Sequence, residues 1–181
     1  MKFTLAPQSI PEVLLIRPTV YSDNRGYFKE SYNLLDFDKF LPSVTFVQDN
    51  ESKSLRGVLR GFHFQKAPHA QAKLVRAIQG VIWDVALDIR PDSSTYGQST
   101  SAELSAKNHH QLYIPQGFAH AFLVLSDAAI VQYKTDNFYH PQADAGIHPH
   151  DPDLNIPWPL SKEEHLLSAK DSVLPLLKDL F

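Results

Sequence analysis

Arg56-Gly57-Val58-Leu59-Arg60-Gly61-Phe62-His63-Phe64-Gln65 places two arginines, two glycines and a histidine in one short run. Two cations beside a group that titrates near neutral pH suit an anionic ligand that also needs a proton moved. The run also alternates apolar and polar residues, so a solvated edge strand with its charges in water is the competing reading. Arg60 and His63 have opposite parity, and a regular strand sends them to opposite faces. Gly61 stands between them, and glycine often marks a bulge that re-aims a neighbour. Irregular geometry at Gly61 is therefore expected, with Arg60 and His63 turned into one pocket.

Parity singles out two further side chains. Phe118, His120, Phe122 and Val124 share a face, which puts a histidine on an apolar surface; Tyr133 shares its face with Val131 and Thr135. Taken singly, each reads first as a satisfied core residue and only second as a functional one, since a buried Tyr usually finds a hydrogen-bond partner. Pro115-Gln116-Gly117-Phe118-Ala119-His120 resembles the second motif of the cupins, a Pro-x-Gly-x-x-His turn and strand. Many cupins hold a metal with His-x-His and a Glu from an earlier motif. Here that segment offers His63-Phe64-Gln65 and then His69. A borderline metal generally wants three or more His or carboxylate ligands, so a cupin-like barrel without a metal is expected. His109, His110, His140, His148 and His150 fall in turn-like or C-terminal positions and read as surface residues.

The elements that must position these groups are mostly short strands. Residues 13–16, 27–32, 44–48, 73–78, 81–89, 111–114, 118–125 and 128–135 read as strands, with turns at Asp23-Asn24-Arg25-Gly26, Gln79-Gly80, Thr95-Tyr96-Gly97-Gln98 and Ser126-Asp127. In 81–89, Val81, Trp83, Val85, Leu87 and Ile89 share one face, with Asp84 and Asp88 on the other. Many short strands separated by turn signals, with no helix–strand alternation between residues 44 and 136, indicate an all-β sandwich or barrel. Short helices are expected at 34–41, at 162–167 behind the capping-box pattern Ser161-Lys162-Glu163-Glu164, and at 174–180. The proline-rich tail is expected to wrap the barrel as loops.

The 181 residues suit one domain spanning 1–181, and an apolar fraction of 43% excludes a disordered chain. A net charge of −3 argues against general nucleic-acid binding. Cysteine is absent, which removes disulfides, thiolate metal sites and a cysteine nucleophile, and is compatible with the cytoplasm. The first residues lack the pattern of a signal peptide, and no apolar run approaches the roughly 18 residues of a membrane span.

Along nearly its whole length the chain resembles the dTDP-4-dehydrorhamnose 3,5-epimerases. The matching blocks are Asp23-x-Arg25-Gly26-x-Phe28-x-Glu30, Gln48-Asp49-Asn50, Gly57-Val58-Leu59-Arg60-Gly61-x-His63-x-Gln65, Lys73-Leu74-Val75-Arg76, Asp84-Val85-Ala86-Leu87-Asp88-x-Arg90, Ile114-Pro115-x-Gly117-Phe118-Ala119-His120, Tyr133-Lys134, Asp151-Pro152 and Ser168-x-Lys170-Asp171. The resemblance implies a cupin-like jelly-roll fold and inversion at C3 and C5 of dTDP-4-dehydro-6-deoxy-D-glucose. Both carbons flank the C4 ketone, so the reaction needs a base on one face, an acid on the other and a donor for the enolate oxygen. No cofactor and no metal are implied.

By this resemblance His63 is the base, Asp171 its partner, Tyr133 the acid, and Lys73 the enolate donor with His120 nearby. Arg25, Arg60 and Lys170 suit the diphosphate. Glu30, Gln48, Asp49, Asn50 and Asp144 fall to the nucleotide or sugar, and Tyr139 to stacking on thymine. Arg25 and Glu30 reach a neighbouring subunit's site in the family, which implies a homodimer. The chain departs from the family's usual residues at Phe62 and Phe64, at Ala121, at Asp144, and at His148-Pro149-His150 before Asp151. The alternatives are an enzyme inverting only C3 or only C5, a sugar-nucleotide-binding cupin without turnover, and, behind both for want of ligands, a metal-dependent cupin.

Overall fold

Strands dominate the computed structural model, which describes residues 2–180; Met1 and Phe181, the ends of the expected domain, lie outside the described residues. In chain order they are β1 (Phe3–Pro7), β2 (Leu14–Pro18), β3 (Tyr21–Asp23), β4 (Gly26–Phe28), helix α1 (Leu34–Phe37), β5 (Gln48–Leu55), β6 (Leu59–Gln65), β7 (Lys73–Gln79), β8 (Val81–Asp88), β9 (Ser99–Ser105), β10 (Gln111–Ile114), β11 (Phe118–Val124), β12 (Ala128–Thr135) and β13 (Asp144–Gly146). One sheet runs β1-β2-β10-β7-β12-β5, a second runs β13-β6-β11-β8-β9, and β3 and β4 form a separate hairpin. All the strand pairs are antiparallel.

Strand alternation sorts the apolar residues into three layers. Val75, Ala77, Leu112, Ile114 and Val131 of the first sheet meet Ile82, Ala86, Leu104, Phe118 and Phe122 of the second, so the main core lies between the sheets. The opposite face of the second sheet buries Phe62, Val85, Leu87, Ala119 and Ala121 under Ile147, Leu154, Trp158 and Leu177 of the tail. The opposite face of the first sheet packs Ile16, Leu74 and Tyr113 against Phe37 and Leu41 around α1. Each fully buried Leu or Phe contributes about 1.5–3 kcal/mol. The result is a cupin-like β-barrel with short peripheral helical turns.

Several boundaries differ from expectation. The fifth strand is polar Gln48–Leu55 rather than 44–48; Tyr32, Val44 and Phe46 turn their side chains to the core around α1 instead. β4 stops at Phe28, short of the expected 32. The helix expected over 34–41 is a single turn capped by Asn33, whose side chain accepts from Leu35 N at 3.1 Å. At the capping box the helix is one 3-10 turn, Lys162–Glu164, and the last expected helix is the 3-10 turn Leu177–Asp179, starting after Pro175, which supplies no helical N–H. Trp83, Val85, Leu87 and Ile89 share a face as expected; it points to the tail, and Asp84 and Asp88 opposite it are fully buried.

Candidate active site

The site begins at an irregular step in β6. His63 pairs with His120 of β11, and Arg60 with Phe122, so three residue steps of β6 run against two of β11. Gly61 sits in this step at φ +117°, followed by a cis peptide to Phe62. A Cβ there would lie 2.5 Å from the carbonyl oxygen of His120 and 2.6 Å from the Cβ of Ala121, so only glycine fits. The extra residue reverses parity, and Arg60 and His63 line the same cavity.

That cavity has two connected parts. The inner part, about 140 Å³, is lined by Ser52, Arg60, His63, Lys73, His120 and Tyr133 among others. The outer part, about 230 Å³, shares His63, Lys73 and Tyr133 and adds Gln48, Asn50, Tyr139, Asp144 and Lys170. His63 and His120 come from the second sheet; Lys73, Tyr133, Gln48 and Asn50 come from the first.

His63 is backed by the tail. Leu59 N donates to Leu166 O at 3.0 Å and Leu166 N to Gly57 O at 2.8 Å, while Phe62 and Ile147 exchange backbone bonds of 3.0 Å each way. Five residues beyond Leu166 the tail delivers Asp171, whose Oδ1 lies 2.6 Å from His63 Nε2. Burial pushes the Asp171 carboxyl up, but the bonds from His63 and Ser168 outweigh it and hold it below the usual carboxylate range. An ionised carboxylate only accepts, so Nε2 carries the proton and Nδ1 is the free base.

The other groups are tuned by burial. Lys73 donates to the His63 carbonyl at 3.2 Å and lies 6.0 Å from the centre of the Tyr133 ring. Desolvation brings its ammonium down to about 8, with Asp84 and Asp144 opposing the fall. Burial raises the Tyr133 phenol, against the lowering effect of Arg60, so it holds its proton at neutral pH. His120 is packed edge-on to Tyr133 and lies 2.7 Å from Asp84 Oδ1. Burial lowers the His120 imidazole despite that carboxylate. Arg60 Nε donates to Ser54 Oγ at 2.9 Å, which leaves its two terminal nitrogens for an anion.

At the outer end Lys170 is paired with Asp144 Oδ2, which also accepts from the Tyr139 hydroxyl at 3.4 Å. The Asp144 hydrogen bond raises the Lys170 pKa. Gln48 donates to Asn50 Oδ1 at 3.0 Å and accepts from Tyr139 N at 3.1 Å.

Besides Asp171, which backs His63, three expected residues stay outside the cavity. Asp49 alternates with Gln48 and Asn50, so it faces away and pairs with Lys134 at 2.8 Å, which corrects its placement at the substrate. Arg25 stands at the tip of the β3–β4 hairpin, 85% exposed and paired with Asp23; Glu30 pairs with Lys2. Conversely, Phe64, Gln65, Gln71, Glu51, Ser52 and Phe122 line the cavity although none is expected there as a site residue. Asp84 carried a usable signal: a lone carboxylate among the apolar residues 81–87 implies a strand buried on both faces and an internal partner. Gln71 carried none. Among the described residues, no three His, Cys, Asp or Glu side chains converge on a point where a metal could sit.

The family model described as dTDP-4-dehydrorhamnose 3,5-epimerase matches residues 7–179. The dTDP-4-dehydrorhamnose 3,5-epimerase of Methanothermobacter thermautotrophicus is 50% identical over 171 residues, covering 94% of this chain and 92% of that protein. That of Escherichia coli is 50% identical over 172 residues, covering 94% and 92%. A crystal structure of a dTDP-6-deoxy-D-glucose-3,5-epimerase from Legionella pneumophila in complex with dTDP-4-keto-L-rhamnose superposes with a TM-score of 0.95 at 42% identity, covering 99% of this chain and 95% of that one.

Proposed function

The chain belongs to the dTDP-4-dehydrorhamnose 3,5-epimerase family, and from that premise we propose how its cavity inverts C3 and C5 of dTDP-4-dehydro-6-deoxy-D-glucose. It is an isomerase: each step breaks and re-forms one C–H bond without net redox change. His63 takes the proton next to the C4 ketone, and Asp171 stabilises the imidazolium that results. Lys73 donates to the enolate oxygen, with the neutral His120 beside it. Tyr133 returns a proton from the other face. The observation that carries this reading is a carboxylate-backed imidazole from one sheet and a protonated phenol from the other, lining one cavity together with Lys73.

The outer cavity suits the nucleotide. Tyr139 offers a face to the thymine, Gln48, Asn50 and Asp144 lie around it, and Arg60 and Lys170 supply charge for the diphosphate. Arg25 and Glu30, which lie outside this cavity, are assigned to the cavity of a second copy, in keeping with a homodimer as the working assembly. A single domain spanning 1–181, acting in the cytoplasm on a soluble sugar nucleotide, completes the reading.

Incubation with the dTDP-4-keto sugar in D2O, followed by NMR, tests it. Deuterium entering at both C3 and C5 with the new configuration is expected. Exchange at one carbon would replace it with a mono-epimerase, and no exchange would overturn it.

A further inference from the structure

Tyr139 is 53% exposed on a loop, yet its position is fixed by two glutamines. Gln65, at the end of β6, is only 6% exposed and spends its whole amide on the loops around it. Its Nε2 donates to Phe138 O at 3.2 Å and to His69 O at 2.9 Å, and its Oε1 accepts from His140 N at 2.6 Å. Phe138 and His140 are the two neighbours of Tyr139. Tyr139 N itself donates to Gln48 Oε1 at 3.1 Å. The loop is pinned again where the His69 and His140 rings stack with centroids 3.8 Å apart. A flat ring offered to a ligand gains affinity from being held in place before binding.

We infer that Gln65 is a positioning residue for the nucleobase: it brackets Tyr139 from both sides and so sets the plane on which a base can stack. This rests on the reading in which the outer cavity takes the nucleotide. Gln65 edges the outer cavity, but its amide is spent on these three backbone bonds, so it acts on the ligand through Tyr139 and its loss raises KM more than it lowers kcat. Gln65→Met removes all three bonds with little change in volume. Gln65→Glu keeps the acceptor for His140 N but sets a carboxylate oxygen against the Phe138 and His69 carbonyls.

The test is a double-mutant cycle on dTDP binding by calorimetry, with wild type, Gln65→Met, Tyr139→Ala and the double variant, and Gln65→Glu as the second probe of the same position. Gln65→Met is expected to weaken dTDP about tenfold, the order of losing one base–aromatic stack. In the Tyr139→Ala background the same change should have almost no effect, and KM should rise more than kcat falls. Full additivity in the cycle, or unchanged dTDP affinity in Gln65→Met or in Gln65→Glu with a native melting temperature, would overturn the inference. Failure of the wild-type protein to bind dTDP would instead remove the nucleotide reading beneath it.

Discussion

His63 Nε2 and Asp171 Oδ1 are 2.6 Å apart although 108 residues separate them in the chain. Asp171 is almost completely buried, while a third of the His63 side chain is exposed. The imidazole is therefore open to a substrate on one side and held by a fixed negative charge on the other. Replacing His63 by Ala should lower deuterium exchange into substrate by about 10²–10⁴-fold, the loss typical of a general base. Asp171→Asn should lower it as well, because an amide neither stabilises the imidazolium nor fixes its tautomer as a carboxylate does. Exchange within twofold of wild type in His63→Ala would reject the base.

Tyr133 separates proton removal from proton return. Tyr133→Phe should form little epimerised product yet retain measurable exchange, because His63 and Lys73 remain. Quantifying product and exchange in the same NMR tube checks this; unchanged product formation would count against Tyr133 as the acid.

Lys73 sets an alkaline limit. Its ammonium is brought down to about 8 by burial, so the charged form that stabilises an enolate is present below that pH and is lost above it. The profile of kcat/KM should fall as pH rises through about 8. Lys73→Arg keeps its charge and should move whatever activity remains to a later fall, whereas Lys73→Met should lose about 10²–10³-fold below that pH, like removal of an oxyanion donor, with the gap to wild type narrowing above it.

Arg25 gives a test of the assembly. The Arg25→Ala and His63→Ala proteins should each be weak alone. Co-refolded in equal amounts they should recover about a quarter of wild-type activity, since half of randomly formed two-fold dimers are hybrids with one intact site. No recovery would mean that Arg25 does not act across subunits.

Gly61 holds the step that turns Arg60 and His63 together. Alanine there must adopt φ +117° with its Cβ against the His120 carbonyl. Gly61→Ala should destabilise the fold by at least about 1–3 kcal/mol, read from the denaturant midpoint. An unchanged midpoint with full activity would show that the step is not needed.

By itself the sequence determined the all-β architecture and the chemistry available to it. Strands between two partners carry their own signal, because both faces are buried and alternation or apolar content marks them, as in residues 81–88 and 118–124. The strands it left unread or misplaced, β1, β3, β4, β5, β9 and β13, all lie at sheet edges, β3 and β4 as the two strands of a hairpin. An edge strand pairs on one side only, so a polar run such as Gln48–Leu55 is a strand because its neighbour β12 makes it one. The same limit applies to the site. Arg60, His63, Lys73 and Tyr133 could be named from residue type and from the family resemblance. The resemblance also named Asp171 as the partner of His63, but only the tertiary structure turned Asp49 away, buried Asp84 behind His120 and braced Tyr139 with Gln65. Those outcomes depend on which strands pair, in which register, and on where the chain returns across them, and no local stretch of residues carries that information.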